Sequence, residues 1–289
     1  MKFKISDRFR KIIELGGSSM KAAVLLISAL ISFSSFSITL GHKIEYNEAP
    51  AVGQLLIGNG TCTATVISER AILTASHCYD DSVRTAKITG SSHLSLFFLP
   101  AVREFYRVVH VYRNVDHTAD MAIAILDREV PGNIKPLKIY AKKFAPTEST
   151  EIKIMGFGYN GEIEYPGIAS DQLNTIVNLT LGFESWDQFK MLEMARLEFF
   201  EMSEPSPITG KREIILSSLD GSHPCAGDSG AALLVENAGE LQIVGVQSRI
   251  NFDRIMTEKE EVCLGGVQTV GMSIYENLDW IKKIIHQSK

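Results

Sequence analysis

From about residue 50 onward, short apolar runs alternate with polar breaks along the chain. Ala64–Ile67, Ala71–Thr74, Leu94–Leu99, Arg107–Tyr112, Met121–Leu126, Ile152–Gly156, Ile214–Ser217 and Leu241–Gln247 are rich in Val, Ile, Leu, Phe and Thr, and clusters of Gly, Asn, Asp or Pro separate them. Such runs predict β-strands, and many short strands joined by turns predict a sandwich or a barrel. No strand–helix rhythm appears, which disfavours a parallel doubly wound sheet. Two segments read as helices. Trp186–Glu201 sets Phe189, Leu192, Ala195, Phe199 and Phe200 among charges with no Gly or Pro, an amphipathic spacing. Tyr275–His286 puts Leu278, Ile281 and Ile285 on one face and Lys282 and Lys283 near its end, where the helix dipole favours cations.

The N-terminus breaks this pattern. Lys2, Lys4, Arg8, Arg10, Lys11 and Lys21 precede an apolar run over 22–40, with small residues at Ser35 and Ser37. That is the layout of a secretory signal over residues 1–37, and Met20 offers a second, more compact start. An uncleaved anchor is the other reading, because 22–40 is nearly long enough to span a bilayer, although its serines weigh against it. The expectation is a secreted, periplasmic or extracellular protein with no stable membrane insertion after cleavage. At 289 residues the chain can bury a full core in one large domain or two packed halves. Its net charge of -5 is mild, so nothing calls for nucleic acid or an anionic membrane as partner. The four cysteines, Cys62, Cys78, Cys225 and Cys263, form an even set behind an export signal and suggest disulfides. Three pairings exist; the spacings favour 62 with 78 and 225 with 263 without deciding among them. No Cys-x-x-Cys pair is present, so no metal site is expected.

Three short motifs carry candidate chemistry. Pro224-Cys225-Ala226-Gly227-Asp228-Ser229-Gly230 sets a serine between glycines, whose freedom permits a sharp turn with N–H groups turned outward. A serine hydroxyl becomes a nucleophile only with a base to take its proton and donors for the oxyanion. By itself Gly-Asp-Ser-Gly is a common turn. Thr74-Ala75-Ser76-His77-Cys78 ends an apolar run in a histidine, the natural base near neutrality with an unperturbed pKa of ~6.5; by itself such a histidine is equally a core or surface residue. Asp120 stands directly before the apolar run Met121–Leu126, where a carboxylate must be paired if buried and is otherwise a strand-end cap. Gly156-Phe157-Gly158-Tyr159-Asn160-Gly161 fits a dinucleotide fingerprint in spacing only. Glu162, Glu164 and Pro166 follow it where a phosphate-binding helix should open, so a turn is expected and no cofactor.

Taken in the order His77, Asp120, Ser229, these motifs match one order of the Ser-His-Asp triad, and over about residues 44–286 the sequence resembles the chymotrypsin/trypsin-like serine protease family. Thr74–Cys78 is similar to that family's histidine motif, Asp120–Leu126 to its aspartate strand, and Cys225–Gly230 to its serine motif. Gly156-Phe157-Gly158 resembles the turn that opens its second half, and Tyr275–Ile285 its C-terminal helix. The resemblance implies an all-β fold of two packed six-stranded antiparallel barrels with a C-terminal helix. It further implies Ser229 as nucleophile, His77 as base and Asp120 as the carboxylate that orients it, with the N–H groups of Gly227 and Ser229 as oxyanion hole. Ser248 would sit beside the aspartate, and bridges would join Cys62 to Cys78 and Cys225 to Cys263. Polypeptides would be the substrates.

The likeness thins in two places. Family members are usually zymogens, whose cleavage frees an amino terminus that pairs with the aspartate before the nucleophile, here Asp228. The usual Ile-Val-Gly-Gly start is absent. A cut after Lys43 by an activating protease, freeing Ile44, is the first expectation, with 38–43 as propeptide and 44–286 as peptidase domain; Ile38, freed by signal peptidase, is the second, and Lys43 as a plain linker residue the third. At the family's pocket base stands His223 in place of the aspartate of tryptic enzymes, with Ile250 and Thr269 expected on the walls. The expectation is a preference for small or moderate apolar side chains, and the alternative is an acidic side chain met by His223. Segment 160–222 is longer than the family needs and reads as a surface insertion. Asn59-Gly60-Thr61 and Asn178-Leu179-Thr180 fit the glycosylation pattern of a eukaryotic secretory pathway. A non-catalytic homologue acting as a binding module is the competing function, although such proteins generally lose a triad member or an oxyanion glycine and none is lost here.

Overall fold

The computed structural model describes residues 38, 41–57, 60–79, 86–87, 95–114, 119–147, 150–158, 192–203, 212–252 and 266–288. The expected signal (1–37), Asn59, Asn178, most of the 160–222 insertion and Cys263 lie outside the described residues.

The first half contributes β1 (His42–Lys43), β2 (Val52–Ile57), β3 (Gly60–Val66), β4 (Ala71–Thr74), β5 (Ala86–Lys87), β6 (Ser95–Leu99), β7 (Glu104–Arg113) and β8 (Ala122–Leu126). The second contributes β9 (Lys138–Ile139), β10 (Glu151–Gly156), β11 (Glu193–Met202), β12 (Glu213–Ser218), β13 (Ala232–Asn237), β14 (Glu240–Phe252) and β15 (Gly266–Ser273), then helix α1 (Leu278–Gln287). In the first sheet the order β7-β6-β2-β3-β4-β8 closes through β7–β8, and β5 lies on β7. In the second, β11-β10-β13-β14-β15-β12 closes through β11–β12, with β1 along β11 and β9 parallel to β14. Each ring is a six-stranded antiparallel barrel, and closure removes the exposed strand edges an open sheet would present.

Packing follows the two-residue period of a strand. Along β8, Ala122, Ala124 and Leu126 fill the first barrel with Leu55, Phe97, Tyr106 and Val108. Met121, Ile123 and Ile125 point the other way, into a cluster shared with Leu234, Ile243 and Val246 of the second barrel. Both faces are buried, which is why Met121–Leu126 reads as an unbroken apolar run. The second barrel is filled by Ile152, Ile154, Ala195, Leu197, Ile214, Leu216, Leu233 and Val244. Helix α1 buries Ile281 and Ile284 in the shared cluster, so the C-terminal helix stands as expected.

The second expected helix does not form over its described part. Residues 193–201 belong to β11, paired with β10 from Glu193 to Glu198 and with β12 beyond Leu197. Ala195 and Leu197 are buried and Arg196 between them is exposed, a period of two that the charges around Phe199 and Phe200 obscured in the sequence. Trp186 and Phe189 lie outside the described residues. Among the described residues no helix is long and apolar enough to cross a membrane.

Candidate active site

His77 is held by its local chain. Strand β4 ends at Thr74, Ala75 follows, and Ser76–Cys78 forms a single 3-10 turn. A disulfide from Cys78 to Cys62 of β3 pins that turn to the first barrel. Asp120 ends its approach to β8 with both carboxylate oxygens engaged. Oδ1 accepts the backbone N–H of His77 at 2.8 Å, and Oδ2 accepts Nδ1–H of His77 and the hydroxyl of Ser248, each at 2.6 Å. A carboxylate can only accept, so the proton of the ring–carboxylate bond resides on Nδ1, and the neutral ring presents Nε2 as a bare acceptor.

The charges follow from these contacts. The hydrogen bond that His77 donates to Asp120, with the charge of that carboxylate, raises the His77 pKa above 6.5, while burial and the Arg113 guanidinium pull it down. Burial would raise the Asp120 carboxyl, but hydrogen bonds and charge from His77, together with the Ser248 hydroxyl, hold it below its ordinary value. Asp120 thus stays anionic next to an imidazole that is ready to take a proton.

Ser229 comes from the second barrel. Its carbonyl accepts the N–H of Thr63 at 2.9 Å and lies 3.8 Å from Cys78 Sγ, which places the serine turn against the residue that follows His77. Gly230, at φ +86°, packs so closely that a Cβ there would collide with Thr74 Oγ1; only glycine fits. The N–H of Asp228 is used by the carbonyl of Cys225 at 3.0 Å. The N–H groups of Gly227 and Ser229 meet no acceptor among the described residues. Two backbone donors left available on one serine turn are what an oxyanion hole requires.

The remaining expected residues have these positions. Asp228 is fully buried, its Oδ1 accepting from Gly158 N–H at 2.6 Å and its Oδ2 from Cys225 N–H at 2.9 Å. Ile44 is buried in the shared cluster, and its N–H donates to Leu192 O at 3.2 Å; in the intact chain both members of the expected Ile44–Asp228 pair have other partners. Ile38, the second candidate terminus, is fully buried inside the second barrel with Ile152 and Ile154. His223 is buried and its Nδ1–H donates to the carbonyl of Pro224 at 3.2 Å. Ile250 and Thr269 stand opposite each other on β14 and β15. Cys225 is a half-cystine; Cys263 lies outside the described residues. Cys62, His77 and Cys78 bring three potential metal-ligating atoms within 4.8 Å of one another, but both sulfurs are spent in the disulfide and offer no thiolate.

Three residues at the site carried no signal in the sequence. Thr63 touches the serine turn with its N–H and its hydroxyl. Arg113 donates from Nε to the Ser76 hydroxyl at 2.7 Å, next to His77. His42 bonds Asp220 at 2.8 Å, tying β1 to the approach to His223. Thr63, adjacent to Cys62, and His42, directly before Lys43, stand next to features that could have drawn attention to them.

The two barrels and the C-terminal helix are the fold of the trypsin family, and the family model named Trypsin matches residues 38–261, so the chain belongs to that family. Solved structures share the fold. A structure described as HL collagenase aligns with 16% identity and a TM-score of 0.59, over 86% of this chain and 99% of its own. An inactivated protease paralogue of the scabies mite aligns with 19% identity and a TM-score of 0.55, over 85% and 99%. Neuropsin, a serine protease expressed in the limbic system of mouse brain, aligns with 19% identity and a TM-score of 0.54, over 85% and 98%.

Proposed function

We propose that the chain is a serine endopeptidase that cleaves peptide bonds through an acyl-enzyme on Ser229. The observation that carries this reading is the Asp120–His77 pair. It fixes the proton on Nδ1 and leaves Nε2 a bare acceptor, and the turn that carries Ser229 lies against the residue after His77 with the N–H groups of Gly227 and Ser229 available. In the first half-reaction Ser229 Oγ bonds the scissile carbonyl carbon and its proton passes to His77 Nε2. The carbonyl oxygen takes up the charge against the N–H groups of Gly227 and Ser229. His77 then returns the proton to the leaving amine as the C–N bond breaks, and Asp120 stabilises the imidazolium in between. Water repeats the cycle to release the acid.

Export by a signal over 1–37, and production as a zymogen cut between Lys43 and Ile44 or ahead of Ile38, belong to the same reading. The basic and apolar pattern of 1–40 supports the first. The pairing aspartate Asp228, buried beside the serine, supports the second. A bridge from Cys225 to Cys263 completes it.

A fluorophosphonate probe tests this directly. Covalent labelling mapped to Ser229, absent in Ser229→Ala, is the expected result. The fold alone also accommodates a protein without activity, as the mite paralogue's description states for that chain. Absence of labelling in the processed protein would sink the endopeptidase reading in favour of a binding module.

A further inference from the structure

Strand β14 runs past the serine turn, and Gln247 is bonded to it. The Gln247 N–H donates to Ala231 O at 2.8 Å, and its carbonyl accepts the N–H of Gly230 at 3.0 Å, so its backbone holds the two residues that follow Ser229. The side chain turns into the second barrel. Gln247 stands directly opposite Gly271 of β15, and Gly271 opposite Ile214 of β12, which lies in the barrel filling. Residues directly opposite one another share a face of the sheet. Ile250, Thr269 and Leu216 form the next such row, and Leu216 is also inside. Gln247 therefore shares a face with Ile250 and Thr269, the two residues expected on the pocket walls.

Gln247 is 1% exposed, and its Oε1 is fully enclosed without a donor among the described residues. Gly271 opposite has no side chain to supply one. An enclosed amide oxygen left without a partner is costly, and a ligand that brings a donor removes that cost. The Gln247 amide can turn over, exchanging Oε1 for Nε2. A primary amide holds a donor and an acceptor at once, so it complements Gln247 either way round. A cationic side chain would lack a counter-charge. Asp228 is the only buried carboxylate among the described residues, and its oxygens hold the N–H groups of Gly158 and Cys225. A carboxylate brings no donor for Oε1. It would also meet an acceptor in His223, whose Nδ1–H donates to Pro224 O and whose neutral ring offers a bare Nε2.

We propose that Gln247 is a specificity-determining residue, receiving through its side-chain amide the glutamine or asparagine side chain that precedes the scissile bond. The proposal rests on the endopeptidase reading and names its substrate class. It replaces the apolar preference expected from Ile250 and Thr269 alone. The substrate residue whose carbonyl carbon bonds Ser229 Oγ is the one within reach, because the Gln247 backbone is bonded to the residues directly after Ser229. Gln247→Met keeps an unbranched side chain of similar length and removes both hydrogen-bonding groups.

The test uses the purified, processed chain in wild-type and Gln247→Met forms. The substrates are otherwise identical peptides with Gln, Asn, Met, Glu or Lys before the scissile bond, and kcat/KM is measured for each. Wild-type chain should favour Gln or Asn over Met by roughly ten- to a hundredfold, and Gln247→Met should bring that ratio to unity or below. The ratio is the readout because damage to the fold lowers every peptide alike and leaves it unchanged. Equal rates for the amide and Met peptides in wild-type chain, faster cleavage after Glu or Lys, or a ratio that survives in Gln247→Met would overturn the proposal. Where no peptide is cut, the affinities of the same peptides ending at the variable residue decide. Tighter binding of the Gln- or Asn-ended peptide, lost in Gln247→Met, upholds the amide-binding role, and equal binding refutes it. If Ser229 also resists a fluorophosphonate in that case, the endopeptidase reading has failed on its own account.

Discussion

At the scale of single residues, His77 lies between opposed influences: Asp120 raises its pKa, while burial and, to a lesser extent, Arg113 lower it. Arg113 reaches the turn through Ser76, and its positive charge disfavours the imidazolium. Replacing it by glutamine should therefore move the His77 pKa upward and carry the acid limb of kcat/KM to higher pH, because the base stays protonated over a wider range. Arg113→Lys keeps the charge and should shift little. NMR titration of the His77 ring in the Ser229→Ala background reads this without activity, and an unchanged or lowered pKa in Arg113→Gln would contradict it. The raised value has a matching consequence for stability. The protonated His77–Asp120 pair stabilises the fold below the unfolded histidine pKa, and that contribution is lost as pH rises through the folded value. Asp120→Asn removes the raising influence and the anion that fixes the tautomer, and should lower kcat by about 10⁴-fold. The meeting of His77 with Asp120, and the serine turn beside Cys78, were legible from sequence because each residue sits in a short motif whose order carries information. Arg113 and Thr63 were not, because a polar residue's role depends on what faces it across the cleft, and one chain's spacing does not encode that.

At the scale of elements, the strands were legible wherever one or both faces are buried. Ala71–Thr74 coincides with β4, and Met121–Leu126 differs from β8 by one residue. The stretch assigned to Trp186–Glu201 failed for a physical reason. In β11 only Ala195 and Leu197 are fully enclosed among the described residues after Leu192, and a register shift between Phe199 and Glu201 breaks the alternation where aromatic residues would have displayed it. Charged residues at 193, 196, 198 and 201 then fit a helix period as well as a strand's. The Cys62–Cys78 bridge shows the converse, a short sequence feature that governs an element. It closes a separation of 16 residues and ends on the residue after His77. Replacing both cysteines by alanine should cost about 3 kcal/mol of stability by loop-closure entropy, measured as a shift in the denaturant midpoint. The His77 turn, anchored otherwise by Asp120, should also lose order, so activity should fall at temperatures where the chain is still folded. Full activity in the double alanine form would mean that the Asp120 bonds suffice to hold the turn.

At the scale of the whole molecule, the proposed triad requires that the two barrels keep their relative placement, since Asp120 and His77 belong to the first and Ser229 and Ser248 to the second. The shared apolar cluster supplies adhesion, but apolar contact is non-directional and fixes orientation poorly. Direction comes from polar links buried at the junction. Beyond Thr63, Asn114 at the end of β7 donates from its side-chain amide to Asn277 Oδ1 at 2.8 Å, and Asn277 donates to the carbonyl of Ser273 at the end of β15, also at 2.8 Å. Both asparagines are almost wholly enclosed, and the Asn114 N–H bonds Met121 O, the residue after Asp120. This chain of amides ties the segment that leads from Asp120 into β8 to the start of the C-terminal helix. Asn277→Leu should leave the Asn114 amide and the Ser273 carbonyl buried without that partner, at a cost of about 1–3 kcal/mol each before relaxation. The loss should appear twice: as a lowered midpoint of unfolding, and as a fall in kcat that exceeds any rise in KM, because substrate subsites within one barrel survive a small rotation that parts His77 from Ser229. A variant that loses stability but retains wild-type kcat would show that the apolar cluster alone fixes the barrel placement. A variant that loses kcat at temperatures well below its midpoint would show that the asparagines set the geometry on which the chemistry depends.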